Sequence, residues 1–147
     1  MIDYLIYTDG GYTISKGVGG AAFVILKDGR LVAEGRYKVQ RETSQRAELK
    51  AIILAIWKVP AGSHVKIITD SQYSILVLGR IPKKPKKNLE LISKYWEIKA
   101  ARGVRVEFEW VKGHNGDMWN EYCDKLCGEA AVQDKQFDYR ELQTWDK

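Results

Sequence analysis

A chain of 147 residues, 45% hydrophobic and 29% charged, is long enough to bury one substantial core and too short for two. Its 24 Lys and Arg against 19 Asp and Glu leave a net charge of +5, which points, weakly by itself, to a polyanionic partner. No apolar run reaches the length of a membrane span and the N-terminus carries no signal-peptide pattern, so a soluble, cytoplasmic protein without a membrane partner is expected.

Residues 4–8 form an apolar run that Asp9 ends, with Gly10 and Gly11 behind it. Runs at 21–26 and 31–39 flank Asp28 and Gly29, and Asp-Gly between two such runs is a strong hairpin signal. In the second run Leu31, Ala33, Tyr37 and Val39 alternate with Val32, Glu34, Arg36 and Lys38. Thr43 or Ser44 offers an N-cap for a helix with Ala47, Ala51, Ile52, Leu54, Ala55 and Ile56, which Pro60 and Gly62 terminate. Apolar nearly all round, this helix is predicted to be largely buried.

Residues 65–69 read as a short strand ending at Asp70, after which Ser71 can cap a helix running to Gly79. An amphipathic helix over 89–102 stops at Gly103. Val104, Val106, Phe108 and Trp110 then alternate with Arg105, Glu107 and Glu109 as a strand, and a last helix covers about 118–132. This order predicts one α/β domain over 1–133, with a mixed five-stranded sheet, an antiparallel hairpin first and parallel crossovers after it, flanked by helices. The tail 134–147 contains Phe137, Tyr139 and Trp145, too aromatic for a typical disordered end, and is expected to pack on the domain.

Four acids stand where solubility does not explain them. Asp9 and Asp70 end apolar strands, and ligands tend to bind beyond the carboxyl ends of strands in sheets built on crossovers. Glu48 lies among Ala47, Leu49, Ala51 and Ile52, where a carboxylate needs a partner. Asp124 follows Asn120 by one helical turn. Singly, each has a plainer reading: a turn, a helix start, or an early-turn Glu at a helix N-terminus. Together they make the oxygen-rich site that Mg²⁺ prefers. His114, flanked by Gly113 and Gly116, is placed as an exposed, titratable group able to shuttle protons, although a lone loop histidine is more often surface; His64 reads as ordinary surface. Cys123 and Cys127 lack the further Cys or His that a thiolate metal site needs and read as small buried residues on a helix face, suited to a reducing compartment.

The segments Thr8-Asp9-Gly10-Gly11, Arg46-Ala47-Glu48-Leu49, Thr69-Asp70-Ser71-Gln72-Tyr73, Val111-Lys112-Gly113-His114 and Asn120-Glu121-Tyr122-Cys123-Asp124 resemble, in order and separation, the five signature segments of the type 1 ribonuclease H family. The resemblance covers roughly residues 3 to 132 and implies a ribonuclease H-like fold and an endoribonuclease that cuts the RNA strand of RNA/DNA hybrids, as a monomer. By that resemblance Asp9, Glu48, Asp70 and Asp124 hold two Mg²⁺ ions, with Mn²⁺ as a substitute, about 4 Å apart. One ion activates water against the phosphodiester and the other stabilises the departing 3′ oxygen, leaving 5′-phosphate and 3′-hydroxyl ends. His114 matches the family's flexible histidine, which assists product departure or proton transfer.

The same resemblance assigns Gly10, Gly11, Ser44, Gln45, Glu48 and Gln72 to the RNA strand, whose 2′-hydroxyls distinguish it from DNA. It places Arg41, Thr43 and Asn88 in a pocket for a phosphate of the DNA strand; a helix entrance with a surface charge is the plainer reading of the first two. Residues 12–18 lack the Asn-Pro-Gly turn common in relatives, and Ser44 stands where Asn is usual, both on the RNA-facing side. In place of the extra basic helix of several bacterial relatives, residues 80–87 hold Arg80, Lys83, Lys84, Lys86 and Lys87 and no acid. Such a loop either contacts phosphates or is simply solvated. A relative with the same carboxylates but another nucleic-acid substrate, or a hybrid-binding protein without turnover, are the competing readings.

Overall fold

The computed structural model describes residues 1–13, 17–40, 43–79, 85–112 and 117–132; Arg41, Lys83, Lys84, His114 and the tail 134–147 lie outside them. In chain order the elements are β1 (Tyr4–Thr13), β2 (Val18–Lys27), β3 (Arg30–Gln40), α1 (Ser44–Lys58), β4 (His64–Thr69), α2 (Gln72–Leu78), α3 (Leu89–Arg102), β5 (Arg105–Trp110) and α4 (Met118–Ala130). The five strands form one sheet in the order β3-β2-β1-β4-β5. The β1–β2 and β2–β3 pairs are antiparallel, and β1–β4 and β4–β5 are parallel, which is the mixed sheet predicted from the alternation of strands and helices.

Local chemistry sets these elements. Asp28 and Gly29, at φ 51° and 78°, supply the two positive φ values that a tight β2–β3 turn with the right twist requires. Thr43 caps α1 by accepting the Arg46 N–H at 3.2 Å, Ser71 caps α2 by accepting from Ser74 at 3.0 Å, and Gly103 closes α3 at φ 63°. α1 has an unbroken buried stretch from Ala47 to Ile56, because it lies between the sheet and α3 rather than on an open face.

Alternation along the strands divides the core. Ile6, Phe23, Ile25, Val65 and Ile67 face Leu49, Ile52, Ile53 and Ile56 of α1 and Leu91, Tyr95 and Ile98 of α3. Tyr7, Ala22, Val24, Leu26 and Ile68 face the opposite way, against Cys123, Leu126 and Cys127 of α4. A fully buried residue such as Ile52 anchors the first cluster, and truncating it to Ala typically costs about 2–5 kcal/mol. Both cysteines are buried and free, as predicted, and no helix among the described residues is long and apolar enough to cross a membrane.

Candidate active site

Asp9 does not end its strand. β1 continues to Thr13, with Asp9, Gly10 and Gly11 opposite Ala22, Ala21 and Gly20 of β2. Gly10, read as part of a turn, and Gly20, opposite Gly11 on β2, instead let helix backbone come close. A Cβ on Gly10 would fall 2.4 Å from the Ala47 carbonyl carbon and the Glu48 nitrogen, and one on Gly20 would fall 2.1 Å from the Cys127 oxygen. α1 therefore seats directly on β1 and α4 directly on β2, one on each face of the sheet, and each delivers an acid toward Asp9.

On α1 that acid is Glu48, only 8% exposed. From β4, which is paired parallel to β1, comes Asp70, the residue after the last strand position. Carboxylate oxygens of Asp9, Glu48 and Asp70 all lie within 4.8 Å of one another. Asp124 joins from α4, near enough to Asp9 to help raise its carboxyl and lining a small cleft with Asp9, Asp70, Asn120 and Glu121. It flanks the buried stripe of α4 beside Cys123, whose Sγ lies 3.6 Å from the Tyr7 carbonyl oxygen and 3.5 Å from that of Ala22. The start of α4 is fixed by Asp117, which accepts from the backbone N–H groups of Trp119 and Asn120 and from the Tyr7 hydroxyl at 3.0 Å. Burial, with the Asp117 carboxylate as acceptor, pushes Tyr7 up to about 12, so it remains a donor. Asn120 and Glu121 were not singled out as site residues from the sequence; their only signal is membership of the segment that contains Asp124.

Electrostatics sets this cluster apart from surface acids. Desolvation, the neighbouring Asp124 side chain and the charges of Asp70 and Asp124 raise Asp9 from 3.8 to about 8, against a lowering 3.0 Å bond from the Gly10 N–H. Burial, then the charges of Asp9 and Asp70, raise Glu48 well above the usual carboxylate range. Its Oε1 is buried without a hydrogen-bond partner, which is costly for an acceptor that will bear charge. A hard divalent cation fits this donor set: it takes oxygen ligands, offsets the mutual repulsion and gives that oxygen a partner. Asp9, Glu48 and Asp70 are placed to hold one, with Asp124 at the side of Asp9.

The residues expected to meet substrate surround the acids. A Cβ on Gly11 would meet nothing within 4 Å, leaving its main chain approachable. Ser44 and Gln72 are exposed and Gln45 half-buried at the N-terminal ends of α1 and α2. Thr43 and Asn88 are joined by a residue the sequence did not single out. Arg46 gives its backbone N–H to the Thr43 hydroxyl, and its guanidinium donates to Asn88 Oδ1 at 3.2 Å and to Glu90 at 3.1 Å. Asn88 has φ 60° and donates Nδ2–H to the Tyr73 hydroxyl at 2.8 Å, so its amide is fixed at both ends. Lys87 lies 5.9 Å above the Tyr73 ring. Arg46 and Tyr73 sit within the signature segments of Glu48 and Asp70, but their link to Asn88 spans 42 and 15 positions.

Comparison with known proteins gives a consistent picture. The family model for RNase H matches residues 2–132. The chain is 36% identical to a ribonuclease H of Campylobacter jejuni over 135 residues, covering 87% of this chain and 90% of the relative. It is 33% identical to a ribonuclease H of Trichodesmium erythraeum over 138 residues, 86% and 87% of the two chains. With a ribonuclease H of Aeromonas salmonicida it shares 34% over 141 residues, 86% and 88% of the two.

Proposed function

Because the chain belongs to the ribonuclease H family and is therefore a nuclease, we propose that it hydrolyses the RNA strand of RNA/DNA hybrids endonucleolytically, giving 5′-phosphate and 3′-hydroxyl ends. The observation that carries this is the convergence of Asp9, Glu48 and Asp70 within 4.8 Å, with one buried Glu48 oxygen unpartnered. When bound, two Mg²⁺ or Mn²⁺ ions supply the positive charge that attack of water on a phosphodiester and departure of the 3′ oxygen both require.

The chain's own residues do the rest. The four carboxylates keep a fixed, preorganised oxygen set at the junction of β1, β4, α1 and α4, so little reorganisation accompanies reaction. Gly10, Gly11, Ser44, Gln45 and Gln72 present main-chain and short polar groups to the ribose 2′-hydroxyls, by which RNA is told from DNA. Thr43, Asn88 and Arg41 form the cradle for a phosphate of the DNA strand, and the Arg46 and Tyr73 bonds to Asn88 support that reading by holding its amide in one orientation. His114 moves a proton during product departure. The catalytic unit is residues 1–133, acting as a monomer in the cytoplasm.

The experiment is cleavage of an end-labelled RNA/DNA hybrid beside single-stranded RNA, double-stranded RNA and DNA, with and without Mg²⁺. Metal-dependent cutting of the hybrid's RNA strand alone is expected. Cutting of all four substrates points to another nucleic-acid substrate, and binding of the hybrid without cutting points to a binding protein.

A further inference from the structure

The peptide unit that follows Asp70 is hydrogen-bonded at both ends by side chains. Its carbonyl oxygen, that of Asp70, accepts from the indole Nε1–H of Trp110 at 3.2 Å. Its N–H, that of Ser71, donates to Oγ1 of Thr69 at 3.0 Å. Thr69 is fully buried and is the register partner of Trp110 in the β4–β5 pair. The Val111 N–H donates to the Thr69 carbonyl at 3.0 Å, so the sheet ladder holds the chain just before Asp70 and the two side chains hold it just after. Ser71 is in turn committed to capping α2.

Trp110 is not among the residues packed against the hydrophobic core. Val106 and Phe108, the preceding positions on its face of β5, pack partly against the core, whereas Trp110 is 47% exposed at the end of the strand. What the edge of this half-exposed ring offers is a donor aimed at the Asp70 carbonyl.

We propose that Trp110 and Thr69 are positioning residues that aim the Asp70 carboxylate at its metal. The proposal rests on the reading of Asp70 as a ligand. With the peptide held at both edges and the sheet ladder holding the chain before it, the Asp70 Cα–Cβ vector is set and only the side-chain torsions remain. Without either bond the peptide can rotate, and outer-sphere partners of this kind typically change metal affinity about 10–100-fold.

The test is the Mn²⁺ dissociation constant of the full chain, by titration calorimetry without substrate, for Trp110→Phe, Thr69→Val, Thr69→Ser and Asp70→Asn, with hybrid KM measured in excess Mn²⁺. Trp110→Phe keeps a ring and loses the N–H; Thr69→Val keeps shape and loses the hydroxyl. Each is expected to weaken Mn²⁺ binding about tenfold, with Thr69→Ser near wild type and the hybrid KM of Trp110→Phe unchanged. Wild-type Mn²⁺ affinity in Trp110→Phe and Thr69→Val, beside weakened Asp70→Asn, overturns the proposal, as does a raised KM with unchanged metal affinity in Trp110→Phe. Wild-type affinity in Asp70→Asn overturns the ligand reading beneath it instead. Should Thr69→Val fail to fold, Trp110→Phe, an exposed change, decides.

Discussion

A Cβ on Gly10 would lie 2.4 Å from the main-chain nitrogen of Glu48, so the strand bearing Asp9 and the helix bearing Glu48 meet backbone to backbone. Neither contact is the yielding end of a side chain, and Gly10→Ala must push α1 off β1. Overpacking of this sort typically costs about 1–3 kcal/mol, and a displacement of about 1 Å between reacting groups can cost a hundredfold in rate. A lower urea midpoint together with a large loss of hybrid cleavage is expected. Gly11→Ala, where a Cβ meets nothing within 4 Å, should leave the urea midpoint unchanged. Wild-type turnover in Gly10→Ala would show that the close approach does not set the site.

Asp9→Asn and Glu48→Gln separate activity from stability. Each removes a ligand oxygen charge and should nearly abolish cleavage. Each also removes a carboxylate that the metal-free fold holds against desolvation and like charge. The metal-free variants should therefore be more stable than the metal-free wild type above neutral pH, read as a higher Tm in EDTA. For an ordinary structural acid the result is the reverse: lost contacts and a lower Tm.

The raised Asp9 carboxyl also fixes the sign of a pH dependence. Between its ordinary value of 3.8 and its folded value of about 8, the folded protein holds a proton that the unfolded chain has released. Stability from this group is complete below about 4 and is lost as pH rises through about 8; Glu48, shifted the same way, adds to the slope. In EDTA the unfolding free energy should fall from pH 6 to pH 9. Because protons and metal compete for the same oxygens, saturating Mg²⁺ should raise Tm more at pH 9 than at pH 6. An equal increment at both values would mean that the ion binds elsewhere.

Much of this was legible in the sequence, and the failures have physical causes. The helix limits followed from Thr43, Ser71 and Gly103, because caps act locally. Asp9 was misplaced at a strand end because Gly10 and Gly11 also suit a turn; only the partner strand, with Ala21 and Gly20 opposite them, decides between turn and extended backbone. Alternation in β5 puts Trp110 on one face with Val106 and Phe108, but it does not reveal that the core stops short of Trp110 and that its indole donates to the Asp70 carbonyl. Arg46 appears in the sequence only as part of the segment around Glu48, and its role shows once the start of α3 brings Asn88 and Glu90 to it. A residue's type and spacing reveal its face, whereas a bond across 40 positions depends on packing that no local pattern encodes.

The lysines of residues 83–87 provide the remaining prediction. Lys87 is held beside Tyr73, with Nζ 5.9 Å from the ring centroid, and the Tyr73 hydroxyl accepts from Asn88. The end of the basic segment thus lies next to the amide proposed to meet a DNA phosphate. Cation–π contact orients the ammonium at little cost in charge, leaving it available to a polyanion. Replacing Lys83, Lys84, Lys86 and Lys87 with Gln should raise the hybrid KM and leave kcat nearly unchanged, because a phosphate contact away from the scissile bond acts on binding rather than on hydrolysis. The plot of log affinity against log salt should flatten by about 1 for each lysine that touches a phosphate. Hybrid binding measured between low and physiological salt decides: an unchanged slope assigns these charges to solvent.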